Sequence, residues 1–356
     1  MKRKKVLLVY PNYSSFVKTD FEILSSEFEV TRYHFQPVKG ALRTLRELMK
    51  QFVFLLFNLR KFNFVFIWFA DTHAFGPVLF GNLLKIKSAV VIGGFDAVSL
   101  PEIKYGLYCS NQIRQFLGKY AVKHASYLLP VDESLIENTN YFADPAGKGL
   151  PVGVKKFVPG IKGKIIVVPT GYDTDFWQPT KGVVRKKSVV TVAAITNWQR
   201  WYLKGCDFLS QIASKMPETE FYIYGISNAM FEELQKIALP DNLYLNGLVS
   251  TEKLPAIYSA HQIYAQLSLS EGLPNVLCEA ILCGCIPIGS NVNGIPRIIE
   301  NKGLIIKNQK KTEAINAILY AQKISDIEIE KNRTLIISQF DKNKRIKALK
   351  LLLTEV

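Results

Sequence analysis

Short runs of apolar residues recur along the chain, separated by segments long enough to hold a helix. In the first half these runs are rich in β-branched and aromatic side chains and are apolar on both faces, as in parallel strands that are buried on both sides of a sheet. Strands that alternate with helical segments predict a doubly wound α/β domain. The predicted strands are Val6–Tyr10, Phe64–Phe69, Ala89–Ile92, Tyr127–Val131 and Ile165–Val168.

A second series of apolar runs follows a break that is rich in proline and charge, formed by Trp177–Pro179 and Lys181–Lys187. Such a break favours a connection between domains. The 356 residues also exceed the length of about 250–300 at which a single core usually stops growing. Neither half has the glycine fingerprint of a dinucleotide-binding site. Two Rossmann-like halves without that fingerprint predict that the ligand binds in the cleft between them. The second set of predicted strands is Ser188–Ala194, Glu220–Tyr224, Leu243–Leu245, Ile263–Leu267 and Ile286–Ile288.

The segment Ala41–Phe62 combines apolar residues at near-helical spacing with basic residues between them. A basic amphipathic helix can lie on an anionic membrane surface. An ordinary helix that packs on its own sheet also has a basic outer face, and the sequence leaves both interpretations open. The apolar positions are Leu42, Leu45, Leu48, Met49, Phe52, Leu55, Leu56 and Leu59. The basic positions are Arg43, Arg46, Lys50 and Arg60.

Composition narrows the class of protein without choosing a function. The chain is 48% hydrophobic and 21% charged, which is typical of a globular protein, and its net charge of +15 requires anionic partners such as nucleic acid, nucleotide phosphates or acidic lipid. The longest apolar run, near Gln51–Leu59, is about half of the ~20 residues that span a bilayer. The five cysteines show no paired spacing and no secretory signal precedes them, so we expect a cytoplasmic protein, soluble or peripheral on the membrane.

The residues best suited to bind a ligand lie in the segment that follows the strand candidate Ile263–Leu267. Glu271 should lie in a loop that enters a helix with Pro274 in its first turn, and Glu279 should lie about one turn beyond Asn275. Carboxylates accept hydrogen bonds from sugar and ribose hydroxyls, and the free N–H groups of a first helical turn bind phosphate. The alternative is a solvated helix glutamate and an acid that is stabilised near the positive end of the helix dipole.

Glu271 and Glu279, with seven residues between them and Gly272–Asn275 inside, resemble the signature of glycosyltransferase family 4, the retaining group 1 enzymes with the GT-B fold. The resemblance covers residues about 165–306 well and the first half only in pattern. Further stretches that match in the same order are Pro169–Asp173 with Phe176 and Pro179, Lys204-Gly205 with Asp207, and Tyr222 to Gly225.

The resemblance implies two Rossmann-like α/β domains that face each other across a cleft. It implies an acceptor domain at 1–178, a donor domain at 179–335, and a C-terminal helix at 336–356 that packs back on the first domain. A hexosyl or related group would pass from a nucleoside diphosphate sugar to a hydroxyl with retention of configuration. No cofactor and no obligatory metal are implied.

By the same resemblance, Glu271 binds hydroxyls of the transferred sugar and Glu279 binds the ribose. Lys204 and Arg200 would hold the diphosphate, whose negative charge grows as the glycosidic bond breaks and is stabilised by fixed cations. Glu271, Lys204 and Asp96 are the catalytic candidates. The segment around the phosphates is Gly272, Leu273, Pro274, Asn275 and Val276.

On the acceptor side the candidates are Asp96, which follows the strand Ala89–Ile92, and His73. The chain departs from the family here, because Pro11–Ser15 stands where many members have a glycine-rich loop, and Phe95 stands where many have a histidine. Asp96 could equally be a turn aspartate, and a lone histidine is often only hydrogen-bonded in place.

A lipid-linked acceptor in polysaccharide or lipopolysaccharide synthesis would account for the basic surface, which includes the start Met1–Lys5. We then expect contact with the anionic inner face of the membrane and no nucleic-acid partner. One alternative is a sugar-nucleotide epimerase or hydrolase on the same fold. The other is a nonenzymatic protein that binds anionic surfaces, which would leave Glu271 and Glu279 unexplained.

Overall fold

A computed structural model describes residues 3–144, 146–301 and 304–354. The chain divides into two compact units: the first takes the chain up to Asn138, Pro151–Thr170 and the chain from Asn343, and the second takes Thr139–Leu150 and Gly171–Lys342. The sequence places the main boundary near residue 178, whereas the units divide at residue 170. Met1 and Lys2 of the basic start lie outside the described residues.

The first unit contains a fully parallel sheet. Its strands are β1 (Lys5–Tyr10), β2 (Glu29–His34), β3 (Phe64–Trp68), β4 (Lys87–Ile92), β5 (Tyr127–Pro130) and β8 (Lys164–Ile165). Its helices are α1 (Ser15–Glu27), α2 (Ala41–Asn58), α3 (Thr72–Leu83), α4 (Gln112–His124), α5 (Val154–Phe157) and, from Asn343 onward, α14 (Lys342–Thr354). The short strands β6 (Asn138–Asn140) and β7 (Leu150–Val152) flank the insert that belongs to the second unit.

The strand order in this sheet is β2-β1-β3-β4-β5-β8. β3 is buried at all of its positions and β1 at all but its first, as their apolar sequences require. The chain leaves β1 toward β2 and then returns to form β3 on the other side of β1. In open α/β sheets ligands bind outside the carboxyl ends of the strands at such a switch point.

The second unit repeats this architecture. Its strands are β9 (Lys186–Ile195), β10 (Phe221–Ile226), β11 (Leu243–Gly247), β12 (His261–Gln266), β13 (Ile286–Ser290) and β14 (Ile305–Ile306). Its helices are α6 (Trp198–Leu203), α7 (Cys206–Ala213), α8 (Asn228–Leu234), α9 (Leu254–Ser259), α10 (Asn275–Leu282), α11 (Ile295–Ile298), α12 (Lys311–Ala321) and α13 (Asp326–Phe340). The order is β11-β10-β9-β12-β13-β14, so the switch point lies between β9 and β12.

The doubly wound α/β prediction is confirmed for each unit. The five strands predicted in the second half are present, with somewhat longer bounds. The prediction of a strand over Ile165–Val168 is wrong in length, because regular strand ends at Ile165, although Ile166 N and Val168 N still donate to Leu128 O and Pro130 O at 2.9 Å. The extended β2, which the apolar pattern does not mark, is exposed at most positions.

The C-terminal part of the chain lies in two helices. Asp341, whose ψ of 140° is not helical, separates α13 from α14. Arg345 of α14 is buried and its guanidinium binds both oxygens of Asp20 at 2.6 Å. The same guanidinium donates to Val168 O and Pro169 O at 2.8 Å, so α14 is fixed to the first unit by a buried ion pair with several hydrogen bonds.

Across the described ranges, every helix is too short or too polar to cross a membrane. The five cysteines are free thiols: Cys109 is partly exposed, and Cys206, Cys278, Cys283 and Cys285 are buried.

Candidate active site

Two of the predicted site residues, Lys204 and Glu271, meet at the switch point of the second unit. Lys204 is the C-cap of α6, which follows β9, and Glu271 lies in the loop that follows β12. β9 and β12 pair in parallel, so the segments after their carboxyl ends are brought to the same edge of the sheet. Lys204 Nζ lies 2.6 Å from Glu271 Oε1 in an ion pair whose side chains are less than one-fifth exposed.

Glu271 is held through a single carboxylate oxygen. Besides Lys204, Ser268 Oγ donates to Oε1 at 2.7 Å and Gln266 Nε2 donates to it at 3.0 Å. Within the described part of the chain, Oε2 accepts no hydrogen bond. One oxygen therefore fixes the side chain, and the other remains available to a ligand.

The backbone of the same loop is fixed by a second loop, which follows β13. Asn293 Nδ2 donates to Glu271 O, and Gly294 N donates to Gly272 O at 3.1 Å. Asn293 has a φ of 45°, in the left-handed region that asparagine tolerates better than most residues. Its Oδ1 is buried and has no partner in the described structure. Asn293 is thus a site residue that sequence reasoning missed.

The predicted phosphate segment leads into α10. The helix begins at Asn275, so the prediction that Pro274 lies in its first turn is wrong by one residue: Pro274 is the N-cap, in extended conformation. Asn275 and Val276 are partly exposed, whereas Gly272, Leu273 and Pro274 are buried. Tyr172 Oη donates to Asn275 Oδ1 at 2.9 Å, so Tyr172 is tied to this helix within the second unit. The first N–H groups of a helix have no partner within it, which suits them to bind phosphate.

Glu279, the predicted ribose ligand, lies in α10 and is 7% exposed. Burial raises the pKa of its carboxyl group to about 8, a rise that a hydrogen bond from Tyr258 opposes. That bond is long, with Tyr258 Oη 3.5 Å from Glu279 Oε2. The interpretation of Glu279 as a solvated helix residue is wrong, because its carboxyl group lies among buried side chains.

Arg200 lies one helical turn before Lys204, whose N–H donates to Arg200 O at 3.0 Å. Its side chain is exposed, and in the residues described it forms no ion pair. A free guanidinium beside the Lys204–Glu271 pair is compatible with diphosphate binding. Its role stays a prediction, as do the roles of the other donor-binding residues.

In the first unit, Asp96 follows β4 and is fully buried. Oδ2 accepts from Ala70 N at 2.9 Å, and Oδ1 accepts from Gly93 N at 3.0 Å and Gly94 N at 2.9 Å. Burial raises the pKa of the carboxyl group to about 6 in spite of these bonds. Oδ1 thus holds the backbone of the turn and Oδ2 holds the backbone just after β3, which supports the turn-aspartate interpretation. The catalytic role of Asp96 stays a prediction.

His73 is also buried, at the start of α3. Its Nε2 lies 2.7 Å from Trp68 O, which requires that nitrogen to carry the proton, and burial lowers the pKa of the ring. Next to it, Asp71 caps α3 and binds Arg114 of α4 through both oxygens, at 2.8 and 2.5 Å. The histidine is therefore neutral and hydrogen-bonded in place, and its acceptor role stays a prediction.

The sequence of the second unit matches a known family. Residues 186–323 match the family model described as glycosyl transferases group 1. A phosphatidylinositol N-acetylglucosaminyltransferase subunit of Arabidopsis thaliana is 22% identical over 44% of this chain and 36% of its own length. The corresponding protein of Homo sapiens is 25% identical over 49% of this chain and 38% of its own length. The match thus spans little more than a third of these curated relatives.

Solved structures resemble the whole chain in fold. The sucrose-phosphate synthase of Thermosynechococcus elongatus has a TM-score of 0.75 at 14% identity, with 99% of each chain covered. HepE of Anabaena, solved in complex with UDP and glucose, has a TM-score of 0.71 at 12% identity, covering 99% of this chain and all of that one. At these identities the similarity concerns the fold alone, and it confirms the GT-B prediction.

Proposed function

We propose that the chain, which has the GT-B fold and whose residues 186–323 match the model of the group 1 glycosyltransferases, is an enzyme of that group. It transfers a sugar from a nucleoside diphosphate sugar to a hydroxyl group with retention of configuration. The family match favours an enzyme over a nonenzymatic binding protein. Donor, acceptor and stereochemistry are the parts that require experiment.

The observation that carries the proposal is the way Glu271 is held. Three donors bind Oε1, while Oε2 has no partner in the described residues. A carboxylate oxygen accepts hydrogen bonds only, so a ligand that suits it presents donors, as the hydroxyls of a sugar do. Fixing the carboxylate before the ligand arrives lowers the entropy lost on binding.

Lys204 supplies the positive charge that the phosphates of the donor require. When the bond from the anomeric carbon to the diphosphate breaks, negative charge grows on the departing oxygens, and a cation fixed nearby stabilises it. The ion pair with Glu271 holds the Lys204 ammonium in place, and the exposed Arg200 can add a second positive charge. The absence of a cofactor stays a prediction.

For the acceptor we propose a lipid-linked hydroxyl at the cytoplasmic face of the membrane, as in the synthesis of polysaccharide or lipopolysaccharide. Two of the relatives are named as phosphatidylinositol N-acetylglucosaminyltransferase subunits, so the acceptor in their names is a phospholipid. The net charge of +15 favours an anionic partner of this kind.

The test is to incubate the protein with radiolabelled UDP-glucose or UDP-N-acetylglucosamine and a bacterial lipid extract. Label in the lipid fraction that requires both protein and lipid supports transfer, and NMR of the product linkage should show the anomeric configuration of the donor. Free sugar formed equally without lipid would mean a hydrolase. A changed sugar that is still attached to UDP would mean an epimerase.

A further inference from the structure

We propose that the outer face of α2 inserts into the headgroup region of an anionic lipid bilayer. The inference goes beyond the proposed transfer, because the donor chemistry of the second unit does not require it. It rests on how α2 is oriented in the first unit, which the sequence pattern leaves open.

The apolar residues of α2 lie on two opposite faces. The inner face packs on the unit: Leu55 is 1% exposed, and Gln51 is buried with its Nε2 donating to His73 O at 3.0 Å. The outer face is also apolar, and its side chains are 51% to 84% exposed. We call this surface the outer stripe; its residues are Leu42, Leu45, Met49, Val53, Leu56 and Phe57.

The spacing of the outer stripe shows that it is one continuous surface. From Leu42 to Leu45, Met49, Val53 and Leu56 the steps are three or four residues, so the side chains stack along one side of the helix. Single exposed apolar residues are common on protein surfaces, whereas a contiguous row of them marks an interaction surface.

A row of aromatic contacts leads from α2 to exposed apolar residues of α4. Phe52 of α2 contacts Phe75 of α3, with ring centroids 6.1 Å apart, and Phe75 contacts Phe116 of α4, at 6.5 Å. Phe116 and its neighbour on the same helix, Ile113, are largely exposed. Two helices therefore present exposed apolar side chains in the same unit, joined by a row of rings.

The charges beside the stripe select the partner. Arg43, Arg46 and Arg60 are exposed and form no ion pair within the described ranges. An anionic membrane matches apolar side chains that insert and cations that stay at the headgroups. A second copy of this chain fits less well, since a symmetric contact through the stripe would bring these cations toward their counterparts on a partner that also carries +15.

The test is sedimentation of the intact chain with vesicles of phosphatidylcholine mixed with phosphatidylglycerol, and with vesicles of phosphatidylcholine alone. Wild type should bind the mixed vesicles more tightly. Replacing three stripe residues together (Leu45→Ser, Met49→Ser, Val53→Ser) should weaken this binding by at least about tenfold, because their apolar area no longer leaves water. The matched control, Leu319→Ser with Ile327→Ser, removes exposed apolar side chains from α12 and α13 and should bind as wild type does.

The charges are tested separately with Arg43→Gln, Arg46→Gln and Arg60→Gln, which should abolish the preference for phosphatidylglycerol while leaving weak binding to both vesicles. A probe placed in the stripe by labelling Met49→Cys in a Cys109→Ser background should shift its emission to the blue on binding. Unchanged vesicle binding by the triple serine variant would overturn the proposal. So would a wild type that ignores lipid, or one that dimerises through the stripe in sedimentation velocity.

Nucleotide binding keeps this test independent of the proposed function. The triple serine variant should bind UDP as wild type does, because the changed residues lie in the first unit and are exposed. Loss of vesicle binding together with intact UDP binding and an unchanged melting temperature is the supporting result. If the variant loses both vesicle binding and UDP binding and its melting temperature falls, the proposal is overturned, because the stripe is then needed for folding.

Discussion

At the scale of single residues, the two charged members of the site, Glu271 and Lys204, bind each other, and polar neighbours hold Glu271 in place. Glu271 and Lys204 belong to a recognisable pattern, and the structure joins them. Gln266 ends β12, Ser268 lies two positions beyond it, and both donate to Glu271. Polar residues at alternate positions, at the end of a buried strand and just after it, are the signal that could have found them. Asn293, 22 residues beyond Glu271, gives no comparable signal.

The buried position of Glu279 predicts that nucleotide affinity depends on pH. With its pKa raised to about 8, Glu279 is largely protonated at neutral pH, whereas ribose hydroxyls bind the ionised carboxylate better. UDP affinity of wild type should therefore rise between pH 6.5 and 8.5 in isothermal titration calorimetry, a range that brackets this pKa of about 8. Glu279→Gln should show a flat profile. Equal profiles for the two proteins would contradict the ribose role.

The raised pKa of Glu279 also makes the stability of the fold depend on pH. The folded state keeps the Glu279 proton up to about pH 8, while the unfolded chain loses it near its ordinary value of 4.5. The unfolded state therefore binds fewer protons across this window, and stability falls as pH rises through it. Glu279→Gln should lack this part of the pH dependence in urea unfolding.

The amide of Asn293 can be tested without changing the backbone. Glycine adopts a φ of 45° freely, so Asn293→Gly removes the hydrogen bond to Glu271 O and little else. Losing a bond of about 0.5–1.5 kcal/mol should weaken binding of the nucleoside diphosphate sugar roughly 2- to 13-fold. Asn291→Gly, at an exposed position of the same loop, is the control. An Asn293→Gly protein that binds the donor like the control would show that the loop needs no such support.

At the scale of elements, apolar patterns predict the inner strands and fail at the edges. β3 is recognisable because both of its faces are buried. β2 lies at the edge of its sheet, is mostly exposed, and owes its extended form to pairing with β1 rather than to an apolar sequence. The orientation of α2 could not be read from its sequence either, because both of its sides carry apolar residues and only tertiary packing decides which side is buried.

The connection between α6 and α7 explains why glycine follows Lys204. Gly205 has a φ of +67°, and a Cβ there would clash with Leu267 O, just after the end of β12. Gly205→Ala should therefore displace the chain beside Lys204, lower the urea midpoint and weaken donor binding. Gly182→Ala has a similar φ of +79° with nothing within 4 Å, so it isolates the cost of the backbone conformation. If the two variants behave alike, the close approach to Leu267 has no consequence.

At the scale of the whole molecule, the chain order does not follow the division into units. The second unit takes Thr139–Leu150 from within the first half, and the first unit takes the chain from Asn343. Composition marks the break near residue 180 but carries no sign of these exchanges, since they depend on contacts that are distant in sequence. The division into two α/β units was predictable; the course of the chain between them was not.

Breaking the ion pair between Arg345 and Asp20, which holds α14, should cause a large loss of stability. Arg345→Met leaves Asp20 buried, with Trp68 Nε1 at 2.9 Å as a remaining donor, and breaking a buried ion pair in this way typically costs about 3–5 kcal/mol. Urea unfolding should show this loss as a lower midpoint. Lys347→Met, at an exposed position of the same helix, should unfold like wild type. Equal midpoints for both variants would mean that α14 contributes little to the first unit.

The most direct test of the account is isothermal titration of wild type and Glu271→Gln with UDP-sugars and with UDP alone. Wild type should bind both kinds of ligand. Glu271→Gln should lose about 10- to 150-fold in affinity for the sugar nucleotide that wild type prefers, as expected for a lost hydrogen bond to a charged group worth about 1.5–3 kcal/mol. Its affinity for UDP should change little, because Lys204 and the start of α10 remain. A wild type that binds no sugar nucleotide, or a Glu271→Gln protein that binds it unchanged, would contradict the assignment of this site.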